Sequence, residues 1–282
     1  MQMPEISSAA TSSLSTTIRV LSSATVGFVI DLSTIFNRTD SGHYLPAAGA
    51  RETICRLQNS SIPFVITAMK TKVTETEVAR WLSAQLGLGV NRECITLPQS
   101  PFRTFASTYK GRTILAVGSQ EERVRRFALN YGFEHVLTCK DIASRKHRGQ
   151  IVSAIFVFWV PNDWDRDTRT VIDMLLSDHG RVGTRFGGSL DERFFDTQPT
   201  LYICMADTSA AGHQPVVRGG KTWFDTLLKR WREETGGLPL EYYACGMGCD
   251  GLTIHTADKV LNGYRQEPYR SLTEQSSAEH PR

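Results

Sequence analysis

The feature that most constrains this fold is a repeated alternation of short apolar runs with amphipathic helical segments. Residues 25–31 read TVGFVID, rich in β-branched and aromatic side chains and without polar alternation, the pattern of a strand buried on both faces. Residues 46–58 follow with Ala50, Ile54 and Leu57 at helical spacing. Residues 62–67 form a second apolar run, and residues 75–86 a second helix carrying Val78, Ala79, Leu82 and Leu86 on one side. The rhythm continues with strands over 112–118, 135–139, 152–160 and 201–206 and helices over 121–131, 167–176 and 223–234. It predicts parallel sheets covered by helices.

In open parallel sheets the ligand site lies at the carboxyl ends of the strands. Asp31 and Thr67 each close an apolar strand, so both are expected on one rim.

Composition narrows the function. A chain of 282 residues, 40% hydrophobic and 22% charged, fits one or two soluble globular domains, and no apolar run approaches the about 20 residues of a membrane helix. The net charge of +3 is small. The basic clusters Arg123, Arg125, Arg126 and Arg145, Lys146, Arg148 read as solvated faces, and no nucleic-acid partner is expected. Of six cysteines only Cys245 and Cys249 are close, without the partner pair a zinc site needs. The Ser- and Thr-rich start has one Arg and one Glu in its first 25 residues and reads as a cytoplasmic tail, with mitochondrial import as the alternative.

Several segments, in order, carry a family resemblance. The strand ending in Asp31, then Pro46-Ala-Ala-Gly-Ala-Arg-Glu, then Ile62-Pro-Phe-Val-Ile-Thr67 resemble the opening of class IIA haloacid dehalogenase-type hydrolases, closest to the cat eye syndrome critical region protein subfamily and its fungal relatives. The likeness continues through residues 77–86, Pro101-Phe-Arg, residues 114–118 and Tyr131-Gly-Phe. It is most specific at Asn162-Asp-Trp-Asp-Arg-Asp and Asp173-Met-Leu-Leu-Ser-Asp-His-Gly, and it spans residues 25–260.

The resemblance implies that Asp31 is the nucleophile and that a second Asp two positions later protonates the leaving group. Here that position is Ser33, whose hydroxyl holds its proton too tightly to serve as the acid near neutral pH. Thr67 matches the strand-end residue that binds the transferring group, but Ala68, Met69 and Lys70 replace the expected Asn and glycines. For the charge-neutralising lysine two registers compete. Gly220-Lys221 has the dipeptide, whereas the favoured register sets Gly246-Met247 at the turn, so that Met247 stands where Lys should be. In either register the magnesium motif is damaged, with only Asp250 near it, and no cofactor is expected beyond weak magnesium binding through Asp31.

Other candidates have bland readings. Lys70 and Lys72 could supply a substitute charge, His43 is a solvated loop histidine, and the acids of residues 163–167 complement a helix start. Trp159 and Trp164 read as cap core, and the glycine-rich residues 183–188 as a flexible cap loop.

The expected fold is a doubly wound, Rossmann-like α/β core over residues 20–99 and 216–262 with an inserted α/β class II cap over 100–215, flanked by disordered tails 1–19 and 263–282. The expected function is a divergent hydrolase acting on a small molecule, with Asp31 and Thr67 catalytic and Ser33, Lys70, Met247 and Asp250 lining the pocket. The alternatives are a metal-independent enzyme of a specialised pathway, catalysing elimination, decarboxylation or cyclisation, and a binding or scaffold protein. An uncovered sheet edge would favour a homodimer.

Overall fold

The computed structural model describes residues 27–39, 43–60, 63–68, 72–188, 197–204 and 223–245. The first layer holds β1 (Phe28–Asp31), a helical turn α1 (Leu32–Ile35), the antiparallel hairpin β2 (Phe36–Arg38) and β3 (Tyr44–Pro46), helix α2 (Ala50–Asn59), β4 (Phe64–Thr67), α3 (Glu75–Leu86) and the short β5 (Ile95–Thr96). β1, β4 and β5 form a parallel sheet in that order. Parallel neighbours require a crossover, and α2 and α3 supply it.

Helix α3 begins where predicted because Thr74 and Glu77 cap it reciprocally, and it stops at Gly87, whose φ of 62° suits glycine. Its apolar stripe, Val78, Ala79, Leu82 and Leu86, packs with Ile54, Phe64 and Ile66 in one core. Each such buried aliphatic side chain contributes about 1.5–3 kcal/mol.

Two expectations for this layer need correction. The helix expected from Pro46 starts only at Ala50, because residues 44–46 are claimed by the hairpin with 36–38 and Gly49, at φ 78°, turns the chain into the helix. The first strand is not buried on both faces: Phe28 is 44% and Val29 58% exposed, since among the described residues β1 has a strand neighbour on one side only.

The second layer is a five-stranded parallel sheet. Its elements are β6 (Thr113–Val117), α4 (Glu121–Asn130), β7 (His135–Thr138), α5 (Cys139–Ala143), β8 (Val152–Val157), α6 (Trp164–Leu175), β9 (Thr200–Cys204), α7 (Trp223–Thr235) and β10 (Tyr243–Cys245). The strand order is β10-β9-β8-β6-β7. β10, grouped from sequence with the first layer, pairs instead with β9, Tyr243 opposite Tyr202 and Cys245 opposite Cys204. Helix α7 also packs on this sheet, burying Trp223, Leu227 and Trp231 against Leu201 and Ile203.

The central strand β8 stops at Val157 rather than Val160. Phe158 still bonds Val117, but Trp159 then turns inward, fully buried, and donates from Nε1 to the Ser119 carbonyl at 2.9 Å. Asp163 caps α6 by accepting from the Arg166 amide, and Arg166 bridges Asp167 and Glu121 at 2.7 Å each, so these acids serve the helix start. Trp164 is 38% exposed and is not core, because it is the first residue of α6, at the open end of the stripe that continues inward through Val171 and Leu175.

Helix α5 has a capping box of its own. The Thr138 amide and hydroxyl and the Arg125 guanidinium all donate to Asp141. Burial raises the Asp141 pKa, but these hydrogen bonds outweigh it and hold the carboxyl below the usual carboxylate range. The stability it contributes is therefore present above the ordinary carboxylate pKa and lost as pH falls through the lowered value. Asp141→Asn is expected to cost about 1 kcal/mol near neutral pH, with the gap to the natural chain closing in acid, as read by denaturant melts across pH. Gly180 sits at φ 72°, and a Cβ there would run into the Val152 carbonyl oxygen. Gly180→Ala is expected to lose about 2 kcal/mol or more; an unchanged denaturation midpoint would contradict this packing.

Candidate functional site

The parallel register of β1 and β4 makes Asp31 and Thr67 direct partners, and β5 sets Thr96 beside Thr67. These three residues form one row at the carboxyl ends of the strands, where a site in such a sheet belongs. Thr67 and Thr96 are buried. The Thr67 hydroxyl donates to the Ile30 carbonyl at 3.4 Å, and the Thr96 hydroxyl has no hydrogen-bond partner among the described residues.

Asp31 is both the last residue of β1 and the N-cap of α1. Its Oδ1 accepts from the Ser33 amide at 2.8 Å and from the Ser33 hydroxyl at 2.5 Å, while the Thr34 hydroxyl donates to the Asp31 carbonyl at 2.7 Å. The hydrogen bonds described for this carboxylate all fall on Oδ1. The side chain is thereby fixed in one orientation with Oδ2 as its remaining acceptor or nucleophile. The Ser33 hydroxyl donates its hydrogen bond to Asp31.

The other sequence candidates divide cleanly. His43 is exposed and tied to Thr39 in the hairpin turn, its amide donating to the Thr39 hydroxyl at 3.1 Å; no bond to Asp31 is described. Lys70, Met247 and Asp250 lie outside the described residues, as do Met69, Lys221 and Cys249. Cys245 is buried, and burial, with Asp167 and Glu121 nearby, pushes the Cys139 thiol well up, so Cys139 is no nucleophile.

Whether magnesium fits depends on oxygen donors. Among the described residues the rim offers one carboxylate, with Oδ1 engaged, the Thr67 hydroxyl, which donates to backbone, and the Thr96 hydroxyl, short of the near-octahedral oxygen shell this ion needs. Among the described residues no three His, Cys, Asp or Glu side chains converge. The described donors do not fit the ion.

One polar cluster had no reading from sequence. Glu75, 3% exposed, accepts at Oε1 from Ser100 (2.6 Å) and Tyr131 (3.0 Å) and at Oε2 from Arg103 (3.3 Å). Burial, reinforced by the Glu75 charge, pushes the Tyr131 hydroxyl well up. The only local signal was a Glu at a helix start, which reads as an exposed dipole partner; the residues completing the cluster are 25 to 56 positions away.

No family model matches the chain. It is 25% identical over 260 residues to a mitochondrial hydrolase of Saccharomyces cerevisiae, covering 84% of this chain and 70% of that protein. It is 23% identical over 242 residues to a cardiolipin synthase (CMP-forming)/mitochondrial hydrolase fusion protein of Schizosaccharomyces pombe, covering 77% of this chain and 39% of the fusion. Among solved structures, a hypothetical protein of Pyrococcus horikoshii superposes with a TM-score of 0.55 at 14% identity, over 84% of this chain and 77% of that one. NagD of Escherichia coli gives 0.51 at 13% identity, over 84% and 76%. The parallel α/β layers and these superpositions together give the chain the haloacid dehalogenase-like α/β fold expected from its sequence.

Proposed function

We propose that this chain is a divergent hydrolase that acts on a small molecule through Asp31, with Thr67 orienting the substrate, outside ordinary magnesium-dependent phosphatase chemistry. The observation that carries this reading is the bond from Ser33 to Asp31. It orients the carboxylate at the strand end while occupying, with a hydroxyl, the place from which a carboxylic acid would protonate the leaving group. Oδ2 attacks an electrophilic centre or takes a proton, and departure of the leaving group goes unassisted by residue 33. Met247, in the register favoured for the lysine turn, removes a second source of charge stabilisation. Hydrolases among the sequence relatives support the reaction class, and the location in both yeast names supports a mitochondrial setting.

The cap geometry makes Asp31→Asn a clean test. Asn serves as an N-cap about as well as Asp, so the substitution removes the nucleophile while keeping an acceptor for Ser33, whereas Asp31→Ala is expected to lose about 1 kcal/mol of stability. Turnover of 4-nitrophenyl phosphate and 4-nitrophenyl acetate is measured with magnesium and with chelator. The expected result is hydrolysis that survives chelation in the natural chain and falls at least about 100-fold in Asp31→Asn. Magnesium-dependent phosphate hydrolysis lost in Asp31→Asn would restore an ordinary phosphatase. No turnover of either compound would favour a binding protein.

A further inference from the structure

A basic cleft of about 600 Å³ lies between α3 and α4, and it contains none of Asp31, Ser33 or Thr67. Five arginines line it: Arg80, Arg92, Arg103, Arg123 and Arg126. Among the described residues only two glutamates, Glu75 and Glu77, line it with them, and both are engaged: Glu75 by Ser100, Tyr131 and Arg103, Glu77 by the Thr74 cap. Arg92 pairs with Glu93 beside it. For Arg80, Arg123 and Arg126 no acidic partner is found among the described residues.

Arg123 and Arg126 are one turn apart on α4 and so share a face, while Arg80 projects from α3. Like charges held close repel one another, and a low-salt cleft of this kind is stabilised by an anion that neutralises them. Arg103, which also lines the cleft, is tied to Glu75 and has its guanidinium carbon 5.0 Å from the Tyr131 ring centroid, so it leaves the other arginines to meet a ligand. The volume falls in the ~300–1,000 Å³ range of small-molecule sites, too small for a macromolecular surface.

We propose that this cleft binds a small anion carrying two or more phosphate groups, with Arg80, Arg123 and Arg126 as its ion-pairing residues. Arginine suits the task because its planar fork meets phosphate oxygens in pairs. Three arginines without an acidic partner carry more positive charge than one phosphate neutralises, so linked phosphates are favoured over a single one.

The probe is inorganic tripolyphosphate, titrated into the full chain by calorimetry and followed in parallel as a shift in the thermal midpoint. Saturable binding is expected, weakening as salt shortens the screening length, and at least about tenfold tighter than inorganic monophosphate. Arg123→Gln/Arg126→Gln should weaken it at least about tenfold, and Arg80→Gln alone should weaken it measurably; these exposed or half-exposed positions leave the apolar core intact. Asp31→Asn should bind as the natural chain does, which separates this site from the strand-end site. Absence of saturable binding, equal affinity for monophosphate, or affinity retained in the double variant would overturn the proposal.

Discussion

Everything at the candidate site depends on the hydrogen-bonded register between β1 and β4. Because Phe28 pairs with Phe64 and each later residue follows in step, Asp31 ends level with Thr67, and Thr96 comes level through β5. A slip of one residue in either strand would turn Asp31 or Thr67 to the opposite face and dissolve the site. The register is held by burial of β4, whose four residues are all buried, and by the capped helix α3 packed against it. β1 contributes less, with two exposed residues, and its position is held by pairing more than by packing.

Much of this was legible in the sequence. The strands ending at Asp31 and Thr67, and the helix over residues 75–86, follow from periodicity, because each is determined by side chains close in sequence. The hairpin at 36–46 was not legible, since its strands are three residues each and its pairing replaces what looked like a helix start at Pro46. Nor was the placement of β10, a three-residue strand whose partner lies some forty positions earlier. Short elements specify their partners through tertiary contact, which no local pattern encodes. The Glu75 cluster was hidden for the same reason.

The site itself was half legible. Replacement of a second acid by Ser33 is visible in the sequence, but its consequence is not: the hydroxyl is bonded to Asp31 rather than facing a substrate. The same two residues thus form a helix cap at the proposed reaction site. The arginine cleft between α3 and α4 illustrates the reverse case. Arg123 and Arg126 read as a solvated face in isolation, and only the approach of Arg80 and Arg103 from other elements concentrates their charge.

The central claim is that residue 33 orients Asp31 and does not protonate the leaving group. Its most direct test is the dependence of kcat/KM on leaving-group pKa across a series of substituted phenyl esters and phosphates. Without a proton donor, rates should fall steeply as the leaving group becomes more basic, and Ser33→Asp should flatten that dependence. A shallow dependence in the natural chain, unchanged by Ser33→Asp, would contradict the account.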